Sequence, residues 1–166
     1  MKAADSRLPA KDSVLVIGPL SDATRSDIVR AAQAEVAPLP GVEDAFVVKT
    51  KPGNPRQLFQ KVNDLVGDKL LVAPVLIDKD GERLFPTGDI QVRFKTPPTD
   101  QELADFAKRL QVGTPKRNKW SPQQVAFAIR SDDARFLPEI TDQISAQPSV
   151  HAVWPDVRAE FRRTGG

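Results

Sequence analysis

Few side chains in this sequence are of types that do chemistry, and their spacing argues against an active site. His151 is the single histidine. A catalytic triad or a metal site would need Cys, His or carboxylate partners around it, and metal sites with one histidine are uncommon. It follows Val150 in an alternating stretch, which makes it a surface residue of a strand. Asp132 and Asp133 are adjacent carboxylates of the kind acid–base catalysis uses. They stand directly before an apolar helical stripe, where an acidic helix cap explains them. Ile17-Gly-Pro-Leu-Ser21 joins a strand to a helix, where a phosphate would sit. One glycine beside a proline falls far short of a phosphate-binding loop, and the segment is a plain turn. Cysteine is absent, which excludes disulfides, thiolate metal sites and a thiol nucleophile.

Charge narrows the partners. There are 24 basic and 22 acidic residues, for a net charge of only +2. A nucleic-acid surface needs basic residues concentrated on one face. The one local basic excess is at the C-terminus, with Arg158, Arg162 and Arg163. Lys116, Arg117 and Lys119 beside Trp120 are better explained as a solvated loop than as a nucleic-acid contact. The expectation is therefore a protein that is not an enzyme, with no catalytic residue, metal or cofactor, and with no nucleic acid or membrane as partner. The apolar runs Val14–Ile17 and Leu70–Ile77 have strand length and cannot span a bilayer.

The elements that position these residues follow from periodicity. Ser13–Ile17 is a short apolar strand stopped by Gly18-Pro19. Ser21 and Asp22 offer caps to a helix with Ile28, Val29, Ala32 and Val36 on one face. Val42–Lys49 is the next strand. Asn54-Pro55 supplies a cap and a first-turn proline to a helix striped by Leu58, Phe59, Val62, Leu65 and Val66, with Gly67 past its end. Leu70–Asp78 and Glu82–Phe85 form a hairpin around Asp80-Gly81. Asp89–Phe94 alternates polar and apolar. Thr99-Asp-Gln-Glu102 is a capping box before Leu103, Phe106, Ala107 and Leu110. Gly113–Ser121 is a polar connection, Gln123–Arg130 a strand, Phe136–Ile144 a helix and Val150–Val157 the last strand. Phe106, Phe127 and Phe136 stand at core spacings.

From Asp89 the order is β-α-β-β-α-β, the split βαβ unit. The predicted fold class is α+β, with two small α/β-sandwich lobes. Residues 12–86 form a βαβαβ lobe with a hairpin, a degenerate copy of the same unit being one of two equal readings. Residues 87–157 form a ferredoxin-like lobe with two helices on one face of an antiparallel sheet, and residues 158–166 form a tail.

Two segments carry more than a fold. They are Val72-Ala-Pro-Val-Leu-Ile-Asp78 with Leu84-Phe-Pro-Thr-Gly-Asp-Ile-Gln-Val-Arg-Phe-Lys95, and Ile144-Ser-Ala-Gln-Pro-Ser-Val-His-Ala-Val-Trp-Pro-Asp156. In order and spacing they resemble the pro-domains of subtilisin-like serine proteases. Pro148, Ser149, Val150, Val153 and Asp156 stand in the register of that family's last strand. The resemblance spans roughly Leu70 to Arg163 and implies an inhibitor, a folding chaperone, or both. The partner would be a subtilisin-like protease, in cis or in trans. The open face of the sheet would pack on two protease helices, with an acid capping their N-termini. Asp156 matches one such acid. Trp154 stands where the family has a second, and offers apolar burial instead. Val157, Arg158, Ala159, Glu160, Phe161 and Arg162 would run extended through the substrate cleft and block it like a product. The catalytic segments of the protease itself are missing from the chain.

The di-glycine end after Arg162-Arg163 supports a rival reading as a ubiquitin-like modifier. A generic ferredoxin-like interaction module is a third. Met1–Lys11 is polar and has no apolar signal region. The expected location is therefore cytoplasmic if Met1 is the native start, and otherwise outside the cell with the protease.

Overall fold

The computed structural model describes residues 7–67, 70–129 and 136–159. The first half runs β1 (Leu8–Ile17), α1 (Asp22–Ala32), β2 (Glu35–Pro38), β3 (Ala45–Lys49), α2 (Pro55–Val66) and β4 (Leu71–Ile77). The second runs β5 (Arg83–Phe94), α3 (Asp100–Leu110), β6 (Pro115–Arg117), β7 (Gln124–Ala128), α4 (Leu137–Ser145) and β8 (Val150–Ala159). All eight strands belong to one antiparallel sheet, ordered β2-β3-β1-β4-β5-β7-β6, with β8 also paired to β5. Both halves are βαββαβ units. Each places its fourth strand beside its first, then its third and second: β4-β1-β3-β2 and β8-β5-β7-β6.

Local chemistry starts α1, α2 and α3 where the sequence puts them. Helix α4 instead begins at Leu137 with Phe136 as its N-cap and no side-chain cap, so the acidic cap expected of Asp132 and Asp133 is not what starts it. The side chain of Ser21 accepts from the Thr24 N–H at the start of α1, and that of Asn54 accepts from Gln57 before the Pro55 first turn of α2. Thr99 and Glu102 form a reciprocal capping box on α3. Each cap satisfies donors that a helix start leaves unpaired.

Four expectations differ. Helix α1 stops at Ala32, because Gln33 takes a left-handed conformation as its C-cap. Val36 therefore lies not on the helix but on β2, pairing with Val48. That short edge strand turns the expected βαβαβ order of the first half into βαββαβ. Strand β3 begins only at Ala45, after Asp44 with a positive φ of 53°. In the second half Pro115–Arg117, expected as loop, forms edge strand β6 against β7. Pro86-Thr87-Gly88, expected as a lobe boundary, lies inside the single 12-residue strand β5. Leu84 there sits between Leu76 of β4 and Ala159 of β8, and Ile90 between Phe127 of β7 and Pro155 of β8.

The helices cover one face. Under α1 and α2, Val14, Val16, Val48 and Val72 pack on Ile28, Phe59 and Val62. Under α3 and α4, Ile90, Val92, Phe94, Val125, Phe127, Val150 and Val153 pack on Leu103, Phe106, Ile140 and Ile144. The two cores meet at Phe136. It precedes α4 of the second half yet packs into the first-half core, its ring 5.3 Å from that of Phe59 on α2. An Arg56–Glu139 ion pair joins the same two helices.

The opposite face divides. In the first half it is apolar, and Leu15, Ala45 and Val75 are buried with Ala10, Leu39 and Phe85. Burial on both faces is why β1 and β4 are continuous apolar runs and not alternating ones. In the second half the opposite face is polar, as the Asp-Ile-Gln-Val-Arg-Phe alternation of β5 requires.

Candidate protein-contact face

The helix-free face of the second half is built from three adjacent strands. Asp89, Gln91 and Arg93 alternate outward along β5. Gln124 and Ala126 of β7 stand opposite Arg93 and Gln91. On the other side of β5, Trp154 stands opposite Gln91 and Ala152 opposite Arg93. Gln124 Nε2 donates to Gln91 Oε1 at 3.2 Å. Trp154 and Asp156 are both half-buried, so the sheet holds part of each and the rest is open to solvent.

Asp156 sits at an irregularity. Pro86 pairs with Val157 and Ile90 with Pro155, so Thr87, Gly88 and Asp89 face Asp156 alone. The Thr87 hydroxyl lies 3.0 Å from Asp156 Oδ2 and 3.4 Å from its backbone oxygen. Partial burial pushes the Asp89 carboxyl above its ordinary range, and the nearby Asp156 charge adds to the rise against the pull of Lys116. The face therefore carries an indole beside two carboxylates that repel each other, an arrangement suited to a partner surface with apolar area and positive potential.

Trp154 and Asp156, the expected contact residues, are thus brought together on one face with Thr87, Asp89 and Gln91. The alternation of Asp89–Phe94 was signal enough to find Asp89 and Gln91. Nothing in the sequence marks Thr87, because its contact depends on the extra residues in β5.

The expected cleft-lying tail is corrected in part. Val157, Arg158 and Ala159 are ladder residues of β8, paired with Pro86, Phe85 and Leu84. The strand continues past Asp156 because the hairpin arm of β5 offers it backbone partners. Glu160, Phe161 and Arg162 lie outside the described residues, as do Asp132 and Asp133.

His151 is exposed, at the point where β8 carries one extra residue between Val150 opposite Phe94 and Ala152 opposite Arg93. Among the described residues no group of three acidic or histidine side chains converges to hold a metal. No helix among them is long and apolar enough to cross a membrane. Trp120, at the β6–β7 turn, is 92% exposed. Its backbone N–H donates to Asn118 Oδ1 at 2.8 Å, and Arg117 is held by Asp100 and the Pro98 carbonyl.

No family model matches the chain, and no curated protein matches it. Among solved structures, the small subunit of acetolactate synthase from Thermotoga maritima aligns over 90% of this chain and 96% of that one, at 12% identity and a TM-score of 0.28. At that score the likeness carries no argument about this protein.

Proposed function

We propose that this chain is a pro-domain-type regulator of a subtilisin-like serine protease, an inhibitor and folding partner that acts by binding and performs no catalysis of its own. The observation that carries the reading is the presentation of Trp154 and Asp156 together on the helix-free face of a ferredoxin-like unit. The family resemblance requires its contact side chains on that face. On this reading Asp156 meets a helix N-terminus of the protease, where unpaired N–H groups and the helix dipole favour an anion. Trp154 supplies buried apolar area next to it, in a residue type that dominates interface energetics. The segment following Ala159 enters the substrate cleft as an added strand, with Glu160, Phe161 and Arg162 at the positions that product-like occupation needs.

The test is inhibition of a panel of subtilisin-like proteases by the full chain and by a version ending at Ala159. That end point keeps every ladder residue of β8. The full chain is expected to inhibit at least one protease with a constant below about 1 µM. The shortened chain is expected to lose at least about tenfold while keeping its fold. Absence of inhibition across the panel refutes the reading.

A further inference from the structure

We propose that the irregularity in β5 is a device for presenting Asp156, and that Thr87 is its positioning residue. The inference rests on the pro-domain reading, since it gives a task to a residue of that interface. Over the span from Pro86 to Ile90, β5 uses three intervening residues where β8 uses one. Extra residues of this kind locally bend a strand and re-aim its side chains.

The distortion is fixed from several directions. Gly88 adopts a φ of 100°, a conformation that side-chain-bearing residues rarely take. A Cβ there would lie 3.3 Å from the Leu71 Cδ2 of β4. The Gly88 carbonyl accepts from the Ile129 N–H at 2.8 Å, just past the end of β7. The chain is thereby held between its neighbours, and Thr87 is set opposite Asp156.

A threonine hydroxyl has one proton to donate. At 3.0 Å that proton is best placed on Asp156 Oδ2. The contact does two things. It restricts a half-buried carboxylate that otherwise samples several rotamers. It also opposes the repulsion between Asp156 and Asp89, whose charges interact across the same irregularity. Asp156 keeps unused acceptor sites, because a carboxylate has about four and Thr87 takes one. Those sites are left for donors of a partner, and a pre-aimed acceptor binds with less ordering cost than a mobile one. Thr87 itself need not touch the protease.

The experiment is a double-mutant cycle read by the inhibition constant against a protease of the panel that the full chain inhibits. Thr87→Val keeps the shape and removes the donor, and is expected to weaken inhibition by about three- to tenfold. Thr87→Ser is expected to restore it. In an Asp156→Ala background, Thr87→Val is expected to have no further effect. Thr87→Ala serves as a second variant, and the thermal midpoint of each shows whether the fold is retained. An equal loss from Thr87→Val with and without Asp156 overturns the proposal and leaves the pro-domain reading standing. So does full activity of folded Thr87→Val. If the unaltered chain inhibits none of the proteases, the reading itself falls and takes the proposal with it.

Discussion

Replacing Phe59 by alanine tests whether the two βαββαβ units are one cooperative body. Phe59 is on α2, is only 2% exposed, and stacks at a tilt of 53° on Phe136 of the second half. Truncating a phenylalanine buried to this degree costs about 3–5 kcal/mol, from lost transfer energy and the cavity left behind. Losing the ring–ring geometry is worth about 0.5–1.5 kcal/mol within that sum. Against a typical total of about 5–15 kcal/mol this is a large fraction. Both tryptophans of the chain, Trp120 and Trp154, lie in the second half. Their fluorescence therefore reports a unit that Phe59 does not belong to. In a urea titration, Phe59→Ala is expected to lower the fluorescence midpoint as far as the far-ultraviolet circular dichroism midpoint, with one transition in each. The physical route is the seam of Phe59, Phe136 and the Arg56–Glu139 pair, together with the shared strand β5. If the fluorescence transition stays at its original position while the dichroism splits into two steps, the halves unfold separately. The reasoning from the shared sheet and seam would then be wrong.

Two further predictions concern the polar anchors of the sheet. Arg83 of β5 bonds both oxygens of Asp12, at 3.2 and 3.0 Å, and the fully buried Ser13 hydroxyl at 2.8 Å. Arg83→Met leaves that hydroxyl and the partly buried carboxylate short of a donor, and is expected to cost about 1–3 kcal/mol in urea unfolding at neutral pH. The same contact, chiefly through the Arg83 hydrogen bond, holds the Asp12 carboxyl below its ordinary range. A lowered folded-state pKa gives stability that is present above the unfolded value near 3.9 and is lost as pH falls below it. The gap between wild type and Arg83→Met should therefore narrow in acid, and a constant gap from pH 7 to pH 2 would contradict the assignment. Asp89 has the opposite sign. Its raised pKa favours the folded state at low pH, and that benefit disappears as pH rises through the folded-state value. Asp89→Asn is expected to raise the thermal midpoint slightly at pH 7, on the scale of about 0.5 kcal/mol for a surface change, and to lose this advantage in acid. A lower midpoint at pH 7 would show that the Asp89 charge is satisfied by a donor.

The split between what the sequence determined and what only the tertiary structure decided follows the range of the interactions. Local chemistry was legible. The caps at Ser21, Asn54 and Thr99 act within three residues of themselves, so their helices start where the sequence puts them. The alternation of Asp89–Phe94 assigned Ile90, Val92 and Phe94 to the core and left Asp89 and Gln91 outside, because side chains on a strand change faces at every residue. Strands β2 and β6 were not legible. At four and three residues they are too short to show a period, and they exist because the edges of β3 and β7 supply hydrogen-bond partners. Pro86-Thr87-Gly88 has the composition of a turn, yet β8 pairs across it and makes it part of a strand. The extension of β8 to Ala159 has the same cause. Of the candidate site, Trp154 and Asp156 could be picked out along the chain. Their neighbours Thr87 and Asp89 lie more than sixty residues away, and only the pairing of β5 with β8 sets them side by side.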